Sequence, residues 1–419
     1  METNSANRKS LTRSKGILEG IRVIEVGGFI NGVGAGFMLG DMGAEVIKVE
    51  EPTKGDPYRG LKQMYGDTMY VKGRHMGFEL FNRNKESITL DLKNEKGRKV
   101  LYKLIERSDV FLTNHNEGVL KDLEIDYPTL KKYNKKIIYA VASGYGSKGK
   151  LTEERAYDLL ALARSGLMWQ MGERDSNEPF VVAIPMSDTM GSIIMAYGII
   201  CALLARERLG VSQKIETSLL GSTIFLNCYG IMSSLIRGRS WTRHSRKGSK
   251  NPMVNYYRCK DSKWLMLCEP QSDRFWAQFC KSCTISNIEK DPRFETAKAR
   301  RAHATELIEI LDKVFMEKTR DEWITQFERE GYKGGYSPVF DVDEAARAPE
   351  LLENEYVVEY NHRVFGNSKI PGFPVHFEKT NCMVQSEAPE HGQHTEKILQ
   401  DLLGFGWDKI SELRKEKAI

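Results

Sequence analysis

Asp188 lies in the run Ile184-Pro-Met-Ser-Asp-Thr-Met-Gly-Ser192, directly before an apolar segment that starts near Met190. At a helix N-terminus the dipole and the free N–H groups favour an ionised carboxylate. Such an aspartate is expected to stay charged and to suit a nucleophile better than an acid. The same placement also suits a plain helix cap. Asn114, His115 and Asn116 end another apolar run in a loop, where polar side chains can reach a ligand. His115 reads either as a general base or as a solvated loop histidine. Arg155-Ala156-Tyr157-Asp158 opens a helical stretch. There Tyr157 and Asp158 either orient a substrate or simply begin the helix. Glycines at 27, 28, 32, 34 and 36 suggest close backbone approach by a ligand, but Gly32-Val33-Gly34 is followed three residues on by Phe37. The dinucleotide pattern G-x-G-x-x-G is therefore not met. Cys280 and Cys283 form a lone CxxC with no second pair or histidine at zinc spacing, which argues against a metal or redox site. Six Lys/Arg and no acid fall in 237–250. That run reads as a solvated loop, or else as a docking surface for phosphates or carboxylates.

The elements that must position these residues follow from periodicity. Ile21–Val26 and Ala44–Glu50 are β-branched runs separated by enough chain, Asn31–Met42, for one helix: a βαβ unit. Ser87–Leu92 reads as a strand and Lys93–Ser108 as an amphipathic helix with Val100, Leu101, Leu104 and Ile105 inward. Asp109–Thr113 and Ile137–Ala142 are further strands. The alternation predicts an α/β fold with a mainly parallel sheet covered on both faces. Ligands of such sheets sit at the carboxyl ends of the strands, which singles out 27–36, 113–118 and 143–158. Two apolar helices joined by a break at Gly210–Lys214 fill 187–236. A hairpin turning at Asp261-Ser262 and helices to about 330 make a smaller α+β domain. Helix returns at Glu396–Leu403 and Lys409–Glu416.

The chain has 419 residues, 41% hydrophobic and 28% charged, which is ordinary for a folded protein and excludes fibrous and mainly disordered classes. A net charge of +5 is too weak to argue for nucleic acid and compatible with an anionic small ligand. Residues 1–16 are polar and basic, read as a disordered leader, and lack the apolar core of an export signal. With seven scattered cysteines, this points to the reducing cytoplasm and free thiols. The longest uncharged apolar run, Ile193–Ala205, is shorter than the roughly 20 residues of a membrane span and reads as a buried helix.

Several long segments occur together in one order. They are Leu18–Val26 with Met42–Glu50 and Gly55-Asp-Pro57, then Phe81–Leu92, Ala156–Leu167, Pro185–Asp188, Ala202–Gly210 and Gly392–Thr395. In that order they resemble the class III CoA-transferase family, the group of formyl-CoA, carnitine and benzylsuccinate CoA-transferases, from Leu18 to about Leu413. The resemblance implies a Rossmann-like large domain at 17–236 completed by 385–419. It also implies a small α+β domain at 237–345, a returning linker at 346–384, and a ring-like chain interlocked with its partner in a homodimer. A heterodimer with a related subunit is the other arrangement the family offers. It further implies that Asp188 is the nucleophile, that no prosthetic group is used, and that coenzyme A thioesters and carboxylic acids are the substrates. CoA would run along Leu90, Asp91 and Lys93, then Asn114, His115 and Asn116, then Arg155, Ala156, Tyr157 and Asp158, with Lys93 and Arg155 suited to phosphate. Where formyl-CoA transferases carry Gln, Arg and an aromatic, this chain has Ile30, Glu51 and His115, and it lacks their glycine-rich loop in 240–260. These departures point to a larger acyl group, with succinyl-CoA as donor. The family fold also hosts α-methylacyl-CoA racemases, but their catalytic His corresponds to Tyr157, a poor base at neutral pH.

Overall fold

The computed structural model describes residues 16–419; the leader expected at 1–16 lies, but for Gly16, outside the described residues. Contacts divide the chain into two units: the chain up to Met168 with Val181–Ser240 and Leu352–Ile419, and Trp169–Phe180 with Trp241–Leu351.

In the larger unit the β-branched runs become β1 (Arg22–Val26), β2 (Glu45–Glu50), β7 (Lys85–Thr89), β8 (Val110–Thr113), β9 (Ile138–Ser143) and β10 (Lys214–Ser218). They form one parallel sheet in the order β10-β9-β8-β1-β2-β7. The order reverses around β1, so the loops after β1 and β8 open side by side at the carboxyl edge, where a crevice forms. Between β2 and β7 lie two short hairpins, β3 (Gln63–Met64) with β4 (Asp67–Thr68) and β5 (Tyr70–Val71) with β6 (Arg74–His75), then α2 (Met76–Asn82). Each hairpin turns on a residue and a glycine at positive φ, Tyr65-Gly66 and Lys72-Gly73, the geometry of the tightest two-residue turns.

One face of the sheet is covered by α3 (Glu95–Ile105), α4 (Glu117–Asp122) and α5 (Tyr127–Tyr133), with Val100, Leu101, Leu104 and Ile105 buried as their spacing predicts. The C-terminal segments join this core through Ile398, Leu399, Ile410 and Leu413. The other face is covered by α1 (Ala35–Asp41) and α8 (Met186–Leu209), through Leu39, Met195, Ile199 and Leu203. Helix α8 is long and apolar enough, with a mean hydropathy of 1.7, to meet the length of a membrane span. The helix extends beyond the run Ile193–Ala205 at both ends, taking in Asp188 and Arg206, and its inner face is committed to the sheet. Before it come α6 (Asp158–Arg164) and α7 (Leu167–Met171); after β10 come α9 (Leu219–Leu226) and α10 (Cys228–Arg237), bent by 77° at Asn227.

Four readings change. The third strand begins at Lys85, two residues earlier than expected, because its inward positions continue the buried ion network described below. The break at 210–214 runs into strand β10, whose Lys-Ile-Glu-Thr-Ser sequence carries little apolar signal because it is an edge strand. The apolar helix after it is two helices, α9 and α10. The stretch 346–384, expected as a linker, carries an antiparallel hairpin, Val357–His362 with Gly366–Pro371.

The smaller unit holds the expected hairpin, β11 (Val254–Arg258) and β12 (Trp264–Cys268), with Ser262 at φ 66° in its turn. A third antiparallel strand, β13 (Tyr336–Val339), pairs with β12. Helices α11 (Trp276–Ser282), α12 (Ala297–Ala302), α13 (Ala304–Phe315) and α14 (Arg320–Arg329) close an aromatic core around Phe279, Phe315, Trp323 and Phe327. Cys280 and Cys283 are part of that core, and burial pushes the Cys280 thiol up to about 12. The basic run 237–250 is only partly a solvated loop. Arg243 is buried, donating to the carbonyls of Gly172, Glu173 and Glu178 and stacking 4.3 Å from the Trp169 ring; Arg246 forms a two-point pair with Asp312.

Candidate active site

Strand β1 ends in the loop 27–34, whose backbone is held from four sides. Asn114, at the end of β8, donates through Nδ2 to Gly28 O (2.7 Å) and Asn31 O (3.1 Å), and accepts from Gly28 N (3.2 Å). Asp56 accepts from Phe29 N (3.1 Å), which secures Phe29 at φ 59°, a conformation an aromatic residue adopts only when neighbours impose it. Lys48 donates to Gly27 O (3.1 Å), and the Ser192 hydroxyl on α8 donates to Ile30 O (2.9 Å). Gly32 sits at φ 72° with Ala142 so close that a Cβ would stand 2.1 Å from the alanine methyl. The glycines of this loop therefore serve a tight strand-to-helix turn against β9.

Behind the loop lies a buried ion network. Lys48 pairs with Glu25 (3.0 Å) and Asp56 (2.8 Å), and Lys85 pairs with Glu25 (2.7 Å); all four side chains are inaccessible or nearly so. Burial lowers the Lys85 ammonium to about 8. Burial opposes the charge of Lys48, but Asp56 and Glu25 hold it above the usual lysine range. Glu50 next door is buried too, yet Arg59, in a two-point pair, and Lys48 lower it to about 2.

Asp188 stands in front of the loop. Helix α8 starts at Met186, four residues before the expected start, and its N-cap position is Pro185, which has no side-chain cap. Asp188 is therefore inside the first turn and is not a plain cap. The capping is done by Asp158 from α6: its Oδ1 accepts from Asp188 N (2.9 Å) and it also bonds the backbone of Ser187. Burial first, and the Asp158 charge second, push the Asp188 carboxyl up to about 7. The expectation that the helix dipole keeps Asp188 simply ionised is corrected: desolvation and a like charge outweigh the dipole, and the group is poised near neutrality. Among the described residues neither aspartate forms an ion pair with a Lys, Arg or His.

The remaining expected residues sort by place. Leu90, Asp91 and Lys93 follow β7; Asn114, His115 and Asn116 follow β8; Arg155, Ala156, Tyr157 and Asp158 follow β9. All three segments thus stand on the carboxyl edge of one sheet. Within them Leu90 is buried, Asp91 Oδ1 accepts from Lys93 N (2.9 Å), and Asn116 caps α4. Burial, aided by the Lys48 charge, lowers the His115 imidazole. Lys93, Arg155 and Tyr157 are exposed. Asn114 and Asp158 are engaged with the protein itself, so their part in the site is to hold backbone.

Two site residues escaped the sequence reading. Tyr58 follows Asp56, with its hydroxyl pushed up to about 12 by burial, then by Asp188 and Asp56. Tyr65, at the tip of the first hairpin, is raised in the same direction by burial, Asp158 and Asp188. The X-Gly pairs at 65–66 and 72–73 were the available signal, weakened by strands only two residues long.

The family model of CoA-transferase family III matches residues 18–395. The chain is 30% identical over 425 residues to an acyl-CoA transferase of Fusarium pseudograminearum, covering all of this chain and 91% of the relative. It is 30% identical to the succinyl-CoA:glutarate CoA-transferase of Mus musculus (94% and 88% covered) and 27% identical to the (R)-2-hydroxy-4-methylpentanoate CoA-transferase of Clostridioides difficile (96% and 99%). A CAIB/BAIF family protein from Brucella suis superposes with a TM-score of 0.82 at 25% identity, covering 93% of this chain and all of that one. With these likenesses spanning nearly its whole length, the chain belongs to CoA-transferase family III and is an enzyme.

Proposed function

We propose that the protein moves coenzyme A from a donor acyl-CoA, succinyl-CoA in the first instance, to an acceptor carboxylic acid through Asp188. One observation carries this reading: a carboxylate at the first turn of α8, partly buried, poised near neutrality and without a cation. Such a group is nucleophilic when ionised and loses its charge when acylated. Asp188 attacks the donor thioester carbonyl, giving an aspartyl–acyl mixed anhydride and CoA thiolate. The thiolate attacks the aspartyl carbonyl of the anhydride, forming an aspartyl-CoA thioester and releasing the donor acid as its carboxylate. The acceptor carboxylate then attacks the aspartyl thioester, and the thiolate returns to the acceptor's acyl carbon, leaving acceptor acyl-CoA and free Asp188. Each step exchanges one acyl–oxygen or acyl–sulfur bond for another, so thioester energy is conserved provided water is kept away. The loop 27–34 is suited to line the reacting carbonyl, and CoA would follow the carboxyl edge past Leu90–Lys93, Asn114–Asn116 and Arg155–Tyr157. There Lys93 and Arg155 would meet its phosphates. The succinyl-CoA donor is supported by the likeness to the mouse enzyme, whose name carries it.

Incubation with succinyl-CoA followed by hydroxylamine or borohydride, with mass analysis of peptides, tests the reading. A hydroxamate or alcohol at Asp188 is expected in the native chain and in no Asp188→Asn sample. Absence of any adduct with a panel of acyl-CoAs would refute it.

The protein is further proposed to work as a dimer. Tyr197 and Leu204 on α8, and Phe225, Tyr229, Leu235 and Ile236 on α9 and α10, are each more than half exposed, and α9 and α10 line an apolar groove of about 370 Å³. A face this apolar on a folded unit calls for a partner, and a second copy of the same chain supplies one. Sedimentation of the purified chain alone is expected to give twice the 47.8 kDa chain mass, and Leu235→Glu to shift it toward monomer. A monomer from the native chain would point instead to a related subunit.

A further inference from the structure

Asp158 is buried beside the start of α8. It is 8% exposed, opens α6, and its Oδ1 is bound to the first turn of α8. Its other oxygen, Oδ2, is buried without a hydrogen-bond partner. An ionised buried carboxylate ordinarily gains a cation or several donors. Here the surroundings offer few. Tyr58 and Tyr65 are the titratable groups within electrostatic reach from the turn and hairpin in front. Among the elements packed on α8, the one ionisable side chain of α1, Asp41, pairs with Arg83; α6 carries Arg164 at its far end, over the Tyr145 ring; and α9 has none. The Tyr139 hydroxyl of β9 donates to Ile125 O, and in β10 Lys214 and Glu216 pair with each other. Lys48, across the loop, is held by Glu25 and Asp56.

We propose that Asp158 is a positioning residue with two separable effects: its Oδ1 fixes the first turn of α8, and its negative charge makes the Asp188 carboxylate more reactive. This rests on the reading of Asp188 as the nucleophile. Burial raises the Asp158 carboxyl as well, and where both carboxylates are ionised in the free enzyme they repel. When Asp188 is acylated, it becomes a neutral anhydride or thioester and the repulsion vanishes. An interaction present before bond formation and absent after it lowers the barrier to forming the bond. The cost appears in protonation: the same charge helps to raise the Asp188 carboxyl to about 7, so at lower pH more of the enzyme is protonated and inert.

The test is the rate of hydroxylamine-trapped labelling at Asp188 by succinyl-CoA in single turnovers, from pH 5 to 9. In the native chain labelling is expected to rise with a midpoint near 7. Asp158→Asn keeps an oxygen for the N–H groups and removes the charge. Its midpoint is expected to move down by about one unit or more and its plateau to fall about tenfold. Asp158→Glu, which keeps the charge, is expected to retain the raised midpoint. If the Asn variant does not fold, Asp158→Ser offers an acceptor oxygen of its own and is read in the same way. A slower plateau with an unmoved midpoint would overturn the charge effect and leave only structural support. A native profile in the Asn variant would overturn both effects while leaving the nucleophile in place. No label at Asp188 in the native chain would remove the reading and this inference together.

Discussion

The loop 27–34 is bonded to one set of ionisable groups and, through the Ser192 hydroxyl, to the helix turn that carries a second, and the two sets are built on opposite plans. On one side Lys48 and Lys85 are matched against Glu25 and Asp56, every charge has a partner within 3.0 Å, and the cluster grips Gly27 O and Phe29 N. On the other side Asp158 and Asp188 are joined by a single N–H···O bond, with no cation paired to either among the described residues. Removing charges from water is expensive, and the first cluster offsets that expense with close pairing, so it stays fixed and serves as scaffold. The second leaves the expense uncompensated, which makes the carboxylate ready to give up its charge in a chemical step. The paired carboxylates of the network and the raised carboxyl of Asp188 are thus told apart by their partners rather than by burial.

That contrast can be broken from either side. Asp188→Asn should lower turnover by about 10⁴-fold or more with the fold retained, measured as steady-state transfer from succinyl-CoA alongside circular dichroism. Lys48→Met leaves Asp56 without its cation and Glu25 with Lys85 alone, and should cost about 3–5 kcal/mol in denaturant unfolding, a loss that lies in stability rather than chemistry. Asn114→Ala frees the loop without touching Asp188; kcat/KM should fall about 10–100-fold while Tm changes little. The smallest effect concerns pH. Asp188 holds its proton more tightly in the fold, to about 7, than in the unfolded chain, near 3.8. Its contribution to stability is therefore full below about pH 4 and is lost as pH rises through 7. Asp188→Asn should accordingly be more stable than the native chain by about 2 kcal/mol at pH 8, with the gain shrinking toward pH 4. An equal gain at both pH values would contradict the poised carboxyl.

The sequence announced the strands through their β-branched runs, and it announced Asp188 through its place before an apolar helix. What it could not announce was the balance of charge. The start of α8 is displaced to Met186 because Asp158, thirty residues earlier, supplies the cap that no local residue does. A local pattern cannot show a cap that comes from another helix. For the same reason Asn114 reads in sequence as a polar loop residue facing a ligand, whereas its amide is spent on Gly28 and Asn31. Strand β10 was hidden because an edge strand needs few apolar residues, and Tyr65 because its hairpin is too short to show alternation. Resemblance to a family singled out Asp188; only the three-dimensional arrangement shows what raises its carboxyl to about 7.

The return of the chain's end to its beginning bears on how the enzyme comes into being. Ala418 O accepts from Asp91 N, and Asn94 donates to Glu416 O across 322 residues. Ile398, Leu399, Ile410 and Leu413 complete the core under β7 and α3. During synthesis the smaller unit, apart from the short Trp169–Phe180 segment, is contiguous from Trp241 to Leu351 and can close as soon as it emerges. The larger unit cannot: its sheet stays half-covered until Ile398–Leu413, which lie beyond the smaller unit in the chain, have been made. Removing the bonds made by Glu416 and Ala418 therefore acts on the turn at 90–94, at the carboxyl edge of the sheet, although neither residue is near Asp188 in sequence.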